Sequence, residues 1–93
     1  MDEKSFVALC KQEVADYIFD HFDATISEHD IYVVWLCKIL QNNKALLSTT
    51  LPDGMYYEIT YNGDDDCFYF DAYDKLLNKR INRSGLFTKE DWL

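Results

Sequence analysis

The chain has little with which to bend sharply: one proline and three glycines in 93 residues. That scarcity excludes collagen-like and proline- or glycine-rich linker sequences, and confines tight turns to a few positions. Basic residues are also few, 9 Lys and Arg against 17 Asp and Glu, for a formal charge of −8. Such a chain is a poor binder of nucleic acid or anionic membrane, since both need basic contact surfaces. The three cysteines, Cys10, Cys37 and Cys67, cannot all pair within the chain, which points to a reducing compartment. No apolar run approaches the roughly 20 residues of a membrane span. The opening MDEKSF lacks the basic-then-apolar order of a signal peptide. A cytoplasmic location is therefore expected.

What the chain does hold is apolar and aromatic. Apolar residues make up 48% and aromatic residues 16%, enough buried surface to offset chain entropy and exclude disorder. The length fits a single domain over residues 1–93. There are no repeats, linkers or low-complexity tracts.

Residues 4–22 read as an amphipathic helix. Phe6, Leu9, Cys10, Val14, Tyr17, Ile18 and His21 recur at the spacing that lines one helical face. Asp2 and Glu3 suit its positive N-terminal end. DATISEHD at 23–30 is a polar connector. IYVVWLCKIL at 31–40 is β-branched and aromatic and predicts a strand. Turn signals follow at Gln41–Lys44, Pro52-Asp53-Gly54 and Asn62-Gly63. Between and after them lie strands at 45–51, 55–61 and 67–70. Short loops imply antiparallel neighbours, hence a four-stranded meander covered by the helix. On the third strand Met55, Tyr57, Ile59 and Tyr61 share the core face, and Tyr56, Glu58 and Thr60 the wetter one. On the fourth, Phe68 and Phe70 point inward, Tyr69 and Asp71 outward. Tyr73, Leu76, Leu77 and Ile81 then fit a short C-terminal helix at 72–83, capped by Asp71 and ended by Gly85, with a last turn from Thr88. The expected fold is α+β: an N-terminal helix packed on a four-stranded antiparallel meander sheet, followed by a short C-terminal helix.

Charge is unevenly spread. Residues 1–74 hold 15 acids and 4 bases, a balance of −11, and residues 75–93 hold 2 acids and 5 bases, a balance of +3. The basic tail is expected to fold back on the body or to pair in an oligomer. On the first strand, Lys38 marks an outward face shared with Tyr32, Val34, Leu36 and Leu40. Such a patch needs a cover, expected from the C-terminal helix or, failing that, from a homodimer partner.

The chemical constellations are thin. Cysteines 27 and 30 residues apart, with no C-x-x-C knuckle, read as buried small hydrophobes rather than zinc ligands with His21 or His29. Cys10 and His21 sit roughly 16 Å apart along one helix, too far for a nucleophilic pair. No G-x-S-x-G elbow, H-E-x-x-H helix or phosphate-binding glycine loop occurs. Asp64-Asp65-Asp66 lacks the alternation of a calcium loop and reads as a solvated hairpin tip. No catalysis, metal or cofactor is expected. Tyrosines beside acids better suit a basic protein surface than an RNA backbone.

The segments YVVWLCKILQNNKALLSTTLPDGMYYEITYNGD and FDAYDK, with MDEKSFVALCKQEVADY at the start, resemble a family of small uncharacterised proteins from phages and prophages of Gram-positive bacteria. The resemblance covers most of the chain, fades after Lys75 and carries no catalytic residues. It implies the host-cell cytoplasm and a protein acting by protein–protein interaction. The expected function is inhibition of a host defence nuclease, anti-CRISPR-like, by mimicry of nucleic acid in a positively charged channel. The expected binding residues are Asp64, Asp65, Asp66, Glu58, Asp71 and Asp74, with Tyr56 and Tyr69 as anchors. The partner is a basic protein surface; direct nucleic-acid and membrane binding are not expected, and the chain is a monomer or homodimer. The alternative is a non-enzymatic accessory of phage replication, recombination or assembly, working through the first-strand face or the basic tail.

Overall fold

The computed structural model describes residues 1–77 and 79–82. Helix α1 (Glu3–Phe22) leads through a 3-10 turn (Glu28–Asp30) into strands β1 (Ile31–Ile39), β2 (Asn42–Thr49), β3 (Met55–Asn62) and β4 (Cys67–Asp74). The strands form one antiparallel sheet in chain order, the expected meander.

Helix α1 forms where its caps and its apolar period agree. The Asp2 side chain accepts a hydrogen bond from the Ser5 N–H at 2.8 Å and so satisfies one free donor of the first turn. Asp23 ends the helix with a left-handed φ of 52°, its N–H donating to the Phe19 carbonyl. Phe6, Cys10, Val14 and Ile18, four residues apart, are the buried stripe. Leu9 and Tyr17 border it. His21, expected on that stripe, is exposed: its ring stacks on Tyr17 with centroids 4.1 Å apart, and its Nδ1 lies 3.0 Å from the Tyr17 carbonyl oxygen. The stripe meets Ile31, Ala45, Leu47, Tyr57 and Ile59 from three strands. Each large side chain buried there contributes about 2 kcal/mol.

Two expectations fail for the same reason, that pairing outweighs local pattern. The C-terminal helix at 72–83 is absent from the described residues. Residues 72–74 belong to β4, and 75–77 and 79–82 carry no helix. Tyr73 pairs with Tyr56 and Asp74 with Met55, and the Lys75 N–H extends the ladder to the Gly54 carbonyl at 2.8 Å. A helix of this length is marginal until it packs on something. Gly85 and Thr88 lie outside the described residues.

The first strand's outward face is also corrected. Val33 pairs with Leu47 but Trp35 pairs with Leu46, so a bulge at Val34 adds one residue to β1. One extra residue reverses every later side chain. Leu36 and Lys38 thus turn to the helix side, where the Lys38 amine reaches the Met1 carbonyl at 3.2 Å. Trp35, Cys37 and Ile39 take the outer face instead.

The turns pack against each other at one end of the sheet. Leu40 begins the β1–β2 turn with a left-handed φ of 56°, while 85% exposed. Gly63 in the β3–β4 turn lies so close that an added Cβ would sit 2.2 Å from the Gln41 carbonyl oxygen. Its N–H donates to Asn42 Oδ1 at 3.1 Å.

Candidate protein-binding face

The register sorts side chains into two faces. On the face away from α1, Tyr32, Ser48, Tyr56 and Tyr73 form one rung across the sheet. The next rung is Trp35, Leu46, Glu58 and Asp71, and the third Cys37, Lys44, Thr60 and Tyr69. No described element packs on this face. Tyr32, Trp35, Tyr69 and Tyr73 are among the exposed large side chains.

Of the eight residues expected at the site, the structure brings four together here: Tyr56, Glu58, Tyr69 and Asp71. Glu58 and Asp71 are direct cross-strand partners, an arrangement of like charges that costs stability. The Lys44 amine, 3.5 Å from Glu58, offsets part of it on the β2 side. Asp71 has no cation within ion-pair distance among the described residues. At one edge the Lys75 ammonium lies 5.6 Å from the centre of the Tyr56 ring, so this ring already accepts a cation.

The acidic tip is a neighbouring but separate feature. Asn62 Oδ1 accepts from the Asp64 and Asp65 N–H groups at 3.1 and 3.3 Å, which folds the turn. Asp65 accepts from the Asn62 amide, and Asp66 from the Tyr61 hydroxyl at 2.8 Å. That bond holds the Tyr61 hydroxyl above its ordinary pKa. Asp65 and Asp66 are thus partly occupied as turn builders. Tyr69, nearest the tip, is raised by its contact with the Cys67 thiol and, less, by the charge of Asp65. Asp74 stands apart: it pairs with Met55 at the other end of β4, on the helix side.

Trp35 and Tyr73 belong to this face and escaped sequence reasoning. Strict alternation from Lys38 hid Trp35, because nothing local marks the bulge. The helical period of Tyr73 with Leu76 and Leu77 hid the second, although CFYFDAYD is also a readable strand. Tyr32 and Tyr56 were legible from alternation alone.

Among the described residues there is no group of three or more His, Cys, Asp or Glu that could hold a metal ion. Cys10 is buried, and burial pushes its thiol up to about 12, the wrong direction for a nucleophile. No described helix is long and apolar enough to cross a membrane.

Fold and face together define a small α+β module with an open sheet surface of tyrosine, tryptophan and carboxylate. Residues 7–83 match the family of unknown function DUF6275, and the chain belongs to that family. No curated protein and no solved structure matches it.

Proposed function

We propose that the chain is a non-enzymatic protein-binding module whose outer sheet face seats a basic surface of a partner protein. The observation that carries this reading is the juxtaposed Glu58–Asp71 pair, flanked by Tyr56, Tyr73, Tyr69 and Trp35 on an open face. A partner arginine or lysine between the two carboxylates relieves their repulsion, and the aromatic rings supply apolar contact around it. Long-range attraction from a body carrying −11 over residues 1–74 speeds the encounter. Within this reading, the partner is a nucleic-acid-binding nuclease of a host defence system, inhibited by occupation of its positively charged channel, as an anti-CRISPR protein would do. The acidic balance and the resemblance to phage and prophage proteins support that choice.

The test is a pull-down with mass spectrometry, using the chain and its Glu58→Lys, Asp71→Lys double variant, followed by a nuclease assay on the captured partner. The expected result is a basic nuclease that is inhibited by the wild type. Its association slows as salt rises and is lost in the variant. Charge reversal that leaves capture and salt dependence unchanged would sink the reading. Reversing Asp64, Asp65 and Asp66 should slow association without abolishing it.

A second reading, an accessory of phage replication, recombination or assembly, is favoured by the basic and apolar segment after β4. Leu76 and Leu77 there are 93% and 76% exposed. Capture of replication or structural proteins, lost on changing that segment and indifferent to Glu58 and Asp71, would select it.

A further inference from the structure

The helix side of the sheet is not fully covered. Four strands about 4.8 Å apart make a sheet wider than one helix of about 10 Å diameter. Helix α1 lies chiefly over β1 and β2, meets β3 at Tyr57 and Ile59 and reaches β4 only through Tyr17, whose ring centroid is 5.3 Å from that of Phe70, so the β4 side is only partly covered. Two adjoining clefts of 190 and 280 Å³ run there between α1 and β4 and share Glu13 and Phe70. Their floor is apolar: Leu9, Phe68 and Phe70. Their wall is acidic: Glu13, Asp16 and Asp20 stand on one side of α1, three and four residues apart. The other ionisable groups at the rim are His21, held against Tyr17, and the Tyr17 hydroxyl; Tyr69 borders the second cleft from β4, its register placing its side chain on the outer face. Among the described residues, no lysine or arginine lines either cleft.

The same chain carries the complement. After β4, Leu76, Leu77 and Ile81 are 93%, 76% and 57% exposed, and Lys79 and Arg80 are exposed beside them. Leu77 and Ile81 are four residues apart, one helical step on a single face. None of the described residues of this segment lines the chain's own groove. The Lys75 N–H is tied to Gly54, and the Lys75 side chain lies over Tyr56, on the opposite face of the sheet.

We propose that the groove between α1 and β4 seats the segment that follows β4 in a second copy of the chain. Leu76, Leu77 and Ile81 of each copy enter the apolar floor of the other, and Lys79 and Arg80 face Glu13, Asp16 and Asp20. Exchange is reciprocal, so two identical seams close the pair, as in domain-swapped dimers. Docking supplies the packing that the helical period of this segment lacks in the single chain. The surface is distinct from the outer face assigned to the partner, so the two proposals stand or fall separately.

Sedimentation equilibrium over a wide concentration range tests the proposal. A reversible monomer–dimer equilibrium is expected, weakened by salt. Leu76→Asp with Leu77→Asp, changes to exposed residues outside any element, should raise the dimer dissociation constant at least about ten-fold, matching roughly 1.4 kcal/mol. Circular dichroism checks that the fold is intact. Glu13→Lys with Asp16→Lys and, separately, Lys79→Glu with Arg80→Glu should each weaken self-association. Mixing the two charge-reversed variants should restore association, because the mixed pair closes one native seam and one with both charges exchanged. A strict monomer at every concentration overturns the proposal, including one whose segment after β4 is protected in hydrogen exchange by docking in cis. A dimer unmoved by the leucine variants overturns it too.

Discussion

Two buried groups contribute to this protein's response to alkali. Burial raises the Cys10 thiol from 9.0 to about 12, with Glu13 adding to it, and the Tyr57 hydroxyl from 10.0 to about 12, with Asp53 and Tyr17 adding to it. The unfolded chain therefore loses both protons first as pH rises. Their contribution is complete below about pH 9 and disappears between there and about pH 12. The thermal midpoint should fall across that window, and Tyr57→Phe should shrink the fall. At neutral pH the same change should be neutral or stabilising by up to about 1 kcal/mol, because the buried Tyr57 hydroxyl has no hydrogen-bond partner. A loss of several kcal/mol would show a partner that the structure lacks. Leu40 is the other costly residue. A left-handed backbone costs a non-glycine residue about 1–2 kcal/mol, and asparagine suits it better. Leu40→Asn should raise stability by about 1 kcal/mol in denaturant unfolding, since its 85% exposed side chain buries little.

At the scale of elements, the two turns at the tip end act as one unit. An added methyl at residue 63 would collide with the Gln41 carbonyl, a backbone atom that cannot swing aside. Gly63→Ala should therefore cost more than about 1 kcal/mol and loosen the acidic turn. Amide exchange in residues 40–43 and 62–66 should rise together; a change confined to 62–66 would count against this coupling. The Val34 bulge is the other decisive element. It places Trp35 in the outer face while Ile31, Val33 and Leu36 remain toward the helix. Alternation made β3 readable residue by residue, from Met55 to Tyr61. It misread β1 beyond Val33, because a bulge is a property of two paired strands. Strand β4 was legible only to Phe70. Its last four residues carry both a strand alternation and, through Tyr73 with Leu76 and Leu77, a helical period, and pairing with β3 decides between them.

For the whole molecule, the outer face trades stability for charge. Asp71→Asn removes one member of the like-charged pair and should stabilise the free chain by about 0.5 kcal/mol. The same change should weaken the proposed partner complex, and thermal unfolding alongside a binding assay reads both. A variant that binds better and folds worse would contradict the assigned role of this pair. Charge asymmetry organises the molecule more broadly. The acidic body presents one carboxylate pair amid aromatics on its open face and a row of three along α1, while cations gather after β4.

The sequence by itself determined the helix, the meander order, the inward face of β3 and the inward side of Phe68 and Phe70 on β4. Those follow from local period, turn chemistry and short connections. It also determined the charge imbalance and the absence of recognised catalytic motifs. Only the tertiary structure decided where β1 reverses its faces, where β4 ends, and which acids stand together. Glu58 meets Asp71 while Asp74 turns to the helix side, because register is fixed by pairing across strands and by the core the sheet must bury.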